Sequence, residues 1–207
     1  MAKKTKQEAE KTRKNIMLAG LNVFSDKGVS RSSLAEIGEA AQVTRGAVYW
    51  HFKNKIDLLQ AIYDDIMSPL ASFVDEQIQS SEKTPLELLN HLCQQLLIKI
   101  VQDTYLRQIF LVMYEKLERN QEVEPIWERY EQDCRDDLDL LTHLFEGAQQ
   151  LGELKHGIEP KLAALGCHSY LVGLLEKYVV QPPEAQVLTE QARQLFDIYF
   201  SGLSANR

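Results

Sequence analysis

Apolar residues recur along this chain at spacings of three and four rather than two, almost from end to end. Ile16, Ala19, Val23 and Phe24 form one stripe of a helix expected from about Lys6 to Lys27, with Gly28 as its stop. Leu34, Ile37 and Ala41 form a shorter stripe, opened by an S-x-x-E capping box of Ser33 and Glu36. Thr44 caps a third helix from Arg45 to His51 or Phe52. Asn54, with Asp57 three residues on, caps a fourth that carries Ile56, Leu59, Ile62, Tyr63 and Ile66 to about Ser80. Pro69 lies inside it. An interior proline costs ~3 kcal/mol unless the helix kinks or restarts. An interruption is therefore expected there, either a kink or a restart capped by Ser68.

Thr84-Pro85-Leu86-Glu87 is a second capping box, with proline at the first helical position. The fifth helix it opens carries more apolar residues than one buried face needs, from Leu88 to Ile100. A sixth segment runs from Tyr105 to Leu117, and Glu118–Glu124 reads as loop. Pro125 opens a seventh helix that ends before Gly152. Pro160 opens an eighth, apolar nearly all round, to about Val180. Pro182-Pro183 forces a break, and a ninth helix is expected from Thr189 to Leu203. The fold class is all-α with about nine helices. No apolar run approaches the ~20 residues that span a bilayer.

Charge divides the chain. The net charge is −7, yet residues 1 to 58 hold eleven Lys/Arg against six Asp/Glu, and the remainder hold twelve against twenty-four. A basic head on an acidic body suits nucleic-acid contact confined to the head. Lys3, Lys4 and Lys6 either track DNA phosphate or form a solvated tail. The N-terminus lacks the apolar stretch of a signal peptide, and three scattered cysteines (Cys93, Cys134, Cys167) fit a reduced, cytoplasmic protein. His91, His143, His156 and His168 show no spacing for a metal or a nucleophile, and no catalytic motif is present. No enzyme activity, metal or cofactor is expected.

Two short helices around a tight turn, at residues 34 to 52, have the pattern of a helix-turn-helix, whose second helix enters the DNA major groove. Small Gly38 stands where the helices approach, Val43 closes the turn and Val48 points back. The run Val43-Thr-Arg-Gly-Ala-Val-Tyr-Trp-His-Phe-Lys-Asn-Lys55 resembles the signature of the TetR family of bacterial repressors, above all the AcrR type that controls multidrug efflux pumps. The match covers about residues 12 to 63. Gln42 stands where the family usually has glycine, and Gly38 where it has alanine.

The resemblance implies a DNA-binding domain over 1–54 and a ligand-binding and dimerisation domain over 55–207. Arg45 is implied to read guanine with its bidentate fork. Tyr49 touches phosphate or a thymine methyl, and Gly46 lets the helix sit deep. Thr44, Lys55, Ser32 and Ser33 are implied to hold phosphate, the helix N-termini helping, and His51 either holds phosphate or packs against the first helix. A cavity among helices four to eight would take a lipophilic effector, lined by Met67, Leu92, Cys93, Leu96, Phe110, Met113, Tyr114, Leu141, Leu171 and Leu175. The small-residue seam Ala163, Gly166, Tyr170 and Gly173 of helix eight is either the centre of a single-chain bundle or a two-fold interface. The resemblance implies the interface, a homodimer joined there and at Leu195 and Tyr199, reading a palindromic operator on double-stranded DNA. The implied function is a ligand-responsive transcriptional repressor. The alternative is a similar DNA-binding regulator that takes no small ligand and answers to a protein or organises the chromosome.

Overall fold

The computed structural model describes residues 6–205, so Lys3 and Lys4 lie outside the described residues. The helices are α1 (Lys6–Lys27), α2 (Leu34–Ala40), α3 (Arg45–His51), α4 (Lys55–Gln79), α5 (Pro85–Gln102), α6 (Thr104–Leu111), α7 (Glu124–Gln150), α8 (Pro160–Val180) and α9 (Ala185–Leu203). Among the described residues there is no strand, only an isolated bridge between Leu154 and Ser204. No helix among them is long and apolar enough to cross a membrane.

The chain packs as two compact units. The first holds the residues up to Pro69 together with Gln108–Glu128. Its centre is Ile16, Leu21 and Phe24 of α1 with Ile37, Val48, Leu58 and Leu59, all at 0% exposure. A Cβ on Gly20 would stand 2.9 Å from Leu58, so that glycine lets α1 and α4 close up. The second unit holds Leu70–Arg107 and Arg129–Arg207. Here α5 packs against both α8 and α9, which uses its excess of apolar residues. Leu89, Leu97, Phe145 and Phe196 are fully buried.

Two elements depart from the sequence expectation, and for α4 the restart falls away. Helix α4 runs unbroken through Pro69 and does not restart at Ser68. Pro69 and Asp65, whose carbonyl loses its donor, are both exposed, so water can take the place of the missing bond. The sixth segment does not stay α-helical to Leu117: it widens into a π-type turn over Val112–Lys116, which buries Val112 and Met113 together. Helix α9 starts at Ala185, four residues before Thr189. It begins as soon as the two prolines are passed, and the Thr189 hydroxyl donates to the Ala185 carbonyl at 2.9 Å instead of capping.

Pro69→Ala restores a backbone donor inside a helix at an exposed site. It is expected to raise stability by up to about 3 kcal/mol in denaturant unfolding; a lower midpoint would show that the chain needs proline there.

Candidate DNA-binding site

The site is a set of caps and turns that fix two seven-residue helices. Ser33 Oγ accepts the Glu36 N–H at 3.3 Å, and Glu36 accepts the Ser33 N–H at 3.0 Å. Lys27 reaches the same carboxylate at 2.9 Å. That bond, with those from Ser33, holds the Glu36 carboxyl below its usual range and holds the Lys27 ammonium above its own. Both groups are in water, so the pair adds little stability.

The turn is a Schellman closure. Val43 N–H donates to the Gly38 carbonyl at 2.9 Å and Gln42 N–H to Glu39 at 3.0 Å. Gln42 takes the left-handed place with φ 55°, where glycine would be free of strain. The two helices meet at Gly38, where a Cβ would stand 3.0 Å from Val48 Cγ2. This explains the departure from alanine at that position. Asn15 of α1 donates to the Ala41 carbonyl at 2.7 Å, tying the turn to the head. Thr44 Oγ1 accepts the Ala47 N–H at 3.2 Å and starts α3. Asn54 Oδ1 accepts the N–H groups of Ile56 and Asp57 at 2.9 and 2.8 Å and starts α4.

With Val48 and Phe52 buried, the opposite face of α3 is in solvent. Thr44, Arg45, Gly46, Tyr49 and Trp50 are exposed on it, and Lys53 follows. The Arg45 guanidinium lies over the Tyr49 ring at 5.3 Å, which gathers its fork and an aromatic ring on one surface. Trp50 is 72% exposed, its ring edge-on to His51 at 4.4 Å. Sequence reasoning left Trp50 out. The available signal was its register: two residues from Val48 and Phe52, a side chain cannot share their buried face. A large ring held in water on the same exposed face as Arg45 and Tyr49 suits base or sugar contact in a groove.

Other expected phosphate contacts are placed differently. Ser32 is buried and its hydroxyl donates to the Gly28 carbonyl at 2.6 Å, so it is a structural residue and leaves the exposed set. Ser33 is exposed, but its hydroxyl serves the capping box. His51 is half-buried. Lys55 is engaged within the first unit, by the Ser30 carbonyl and by Glu122, both at 3.3 Å.

The expected effector residues divide between the units. In the first, Phe110 and Met113 are buried, Met67 and Tyr114 half-buried, and the Phe110 and Tyr114 rings lie 5.7 Å apart. In the second, Leu92, Cys93 and Leu175 are buried, while Leu96, Leu141 and Leu171 are half-buried. Cys93 Sγ lies 3.5 Å from Cys167 Sγ; that contact and burial push the Cys93 thiol well up, so it packs as a neutral side chain. The second unit also has a groove of about 800 Å³ between Leu86, Leu151 and Phe200, lined by none of the ten expected residues. Its carboxylates already have donors: Glu153 takes the Leu86 N–H and Asp197 the Asn90 amide.

Five of the six expected interface residues make contacts between α8 and α9. Ala163 is buried and its carbonyl accepts from Tyr199 at 3.5 Å. A Cβ on Gly166 would stand 2.9 Å from the Tyr199 hydroxyl oxygen. Tyr170 stacks on Tyr199 at 4.9 Å and donates to the Leu195 carbonyl at 3.3 Å. These five residues join α8 to α9 of the same chain, and Gly166 stays exposed while Tyr170, Leu195 and Tyr199 are half-buried. Gly173 is exposed, and a Cβ there would meet nothing within 4 Å. The outward faces carry other residues: Leu162 and Leu165 on α8, and Ile198 on α9, at 62%, 50% and 70% exposure.

Comparison with known proteins places both halves. Residues 16–62 match the family model of bacterial regulatory proteins, tetR family. Residues 84–205 match that of the C-terminal region of MAATS-type transcriptional repressors. The HTH-type transcriptional regulator AcrR of Shigella flexneri is 32% identical over 182 residues, 88% of this chain and 85% of its own. Among solved structures, NalD, the secondary repressor of the MexAB-OprM multidrug efflux pump in Pseudomonas aeruginosa, superposes with TM-score 0.84 at 29% identity, covering 98% of this chain and all of its own. SmeT, a repressor of a Stenotrophomonas maltophilia efflux pump, in complex with triclosan gives TM-score 0.79 at 30% identity over 95% and 93%.

Trp50→Ala is expected to keep stability within about 0.5 kcal/mol, since the ring is exposed, and to weaken duplex binding in fluorescence anisotropy. Arg45→Ala is expected to keep the fold and lose about 1–3 kcal/mol of preference for its site over random duplex. Undiminished preference would take Arg45 out of base contact.

Proposed function

Because the chain belongs to the tetR family of bacterial regulatory proteins, we propose that it represses a multidrug efflux operon. In this reading a cytoplasmic homodimer holds a palindromic operator on double-stranded DNA and leaves it when a lipophilic compound binds. One observation carries the reading. The likeness to efflux repressors runs through the effector half as well as the DNA-binding head, and covers 95% of this chain against a complex that holds triclosan.

The steps follow from elementary energetics. A two-fold dimer sets two α3 helices at one spacing, and only DNA with half-sites at that spacing meets both. An effector releases DNA only if it binds the state with the wrong spacing better than the operator-bound one. The half-buried Leu96, Leu141 and Leu171 of the second unit supply apolar surface for it. Leu162 and Leu165 on α8 and Ile198 on α9 supply exposed apolar surface for the two-fold contact. Gly173, open to space on α8, allows a second backbone to approach. In the proposed two-fold contact these four residues lie beside the seam of Ala163, Gly166, Tyr170, Leu195 and Tyr199.

Two outcomes are expected. Triclosan, cationic dyes or bile salts will raise the melting temperature, a compound at a hundred times its Kd adding about 2.7 kcal/mol; no response from any of them would favour a regulator without a small ligand. Ile198→Asp and Gly173→Glu will sediment as monomers that bind duplex weakly, whereas dimers in both variants would remove this face from the contact.

A further inference from the structure

The loop after the π-type turn reaches the DNA-binding head. Leu117, Val123 and Ile126 are buried at 7%, 1% and 1%. Gln108 donates to Asn22 of α1 at 2.9 Å, and a Cβ on Gly28 would stand 3.4 Å from the Lys116 carbonyl. Residues 108–128 are thus packed with α1 to α3 as one unit, although they lie far along the chain from them.

Within this loop the backbone of Glu122 is fixed. Asn120 Oδ1 accepts the N–H groups of Glu122 and Val123 at 2.9 and 3.3 Å, an Asx-type turn. The turn presents the Glu122 carboxylate to the Lys55 ammonium at 3.3 Å. The lysine side chain is only 17% exposed, and the Ser30 carbonyl holds it from the other side. Lys55 is the first residue of α4 and follows the exposed Lys53 on the side where α3 ends.

We propose that Glu122 competes with operator phosphate for the Lys55 ammonium, so that the loop after the π-type turn limits how tightly the head holds DNA. The proposal rests on the reading of Lys55 as a phosphate contact. A phosphate draws the ammonium away only by breaking an ion pair that is already formed. Glu122 therefore weakens DNA binding without touching DNA. The loop enters from α6 and leaves into α7, so a change in either helix alters the competition.

The test is a double-mutant cycle on mixed-sequence duplex DNA, because phosphate contacts are independent of sequence. Affinity is measured by anisotropy over a range of salt concentrations. Glu122→Gln is expected to tighten binding about two- to fivefold, the span of an exposed ion pair, with the salt slope unchanged. Lys55→Gln is expected to weaken binding and to lower the slope of log K against log salt by about 0.9, one phosphate contact. In the Lys55→Gln background Glu122→Gln is expected to do nothing. If it tightens binding equally there, Glu122 acts as a diffuse negative charge; the proposal fails and the reading of Lys55 stands. If Lys55→Gln leaves affinity and slope unchanged, Lys55 does not meet phosphate, and reading and proposal fall together. Should Lys55→Gln lower the melting temperature, Lys55→Met keeps the packed stem and takes its place in the cycle.

Discussion

A helix of seven residues has no stability of its own in water. The exposed face of α3 therefore depends on one contact, Val48 set into the notch at Gly38, where no Cβ fits without displacing it. Around that contact the chain places a left-handed closure at Gln42, a cap at Thr44 and a cap at Asn54. Each fixes backbone direction at an end of α2, α3 or α4. With Val48 and Phe52 held inward, geometry leaves Arg45, Tyr49 and Trp50 facing solvent. The DNA-binding surface follows from how the small core of the head is packed.

The second unit follows the same logic on a larger scale. Tyr199 fills the space above Gly166 and stacks on Tyr170, which joins α8 and α9 within one chain. That use of the small residues frees the other faces of both helices. Leu162, Leu165 and Ile198 are left in water. Burying exposed apolar residues between two chains is favourable. A second copy of the chain covers them in the proposed dimer.

Most of the fold was legible because most of its determinants are local. Ser33 with Glu36, Thr44 and Asn54 are caps whose partners lie within three residues, and each was read from spacing alone. The unread features depend on partners distant in sequence. Gly166 and Tyr170 signal that something approaches α8 closely, but the sequence does not say that it is Tyr199 of the same chain. Lys55 looks like a free cation beside α3 until Glu122 and Ser30 are brought to it. Ser32 looks like a second phosphate donor until its hydroxyl turns to Gly28. Trp50 is absent from the expected contacts, although its register puts it in water.

In the proposed function this head grips a two-fold site on DNA and lets go when an effector binds. The most direct measurement is DNase protection of the DNA flanking its own gene, with and without triclosan. The account predicts one protected block with palindromic half-sites, present at low protein concentration and lost as the compound is added. Protection spread without symmetry over the fragment, or a symmetric block that no lipophilic compound removes, would contradict it.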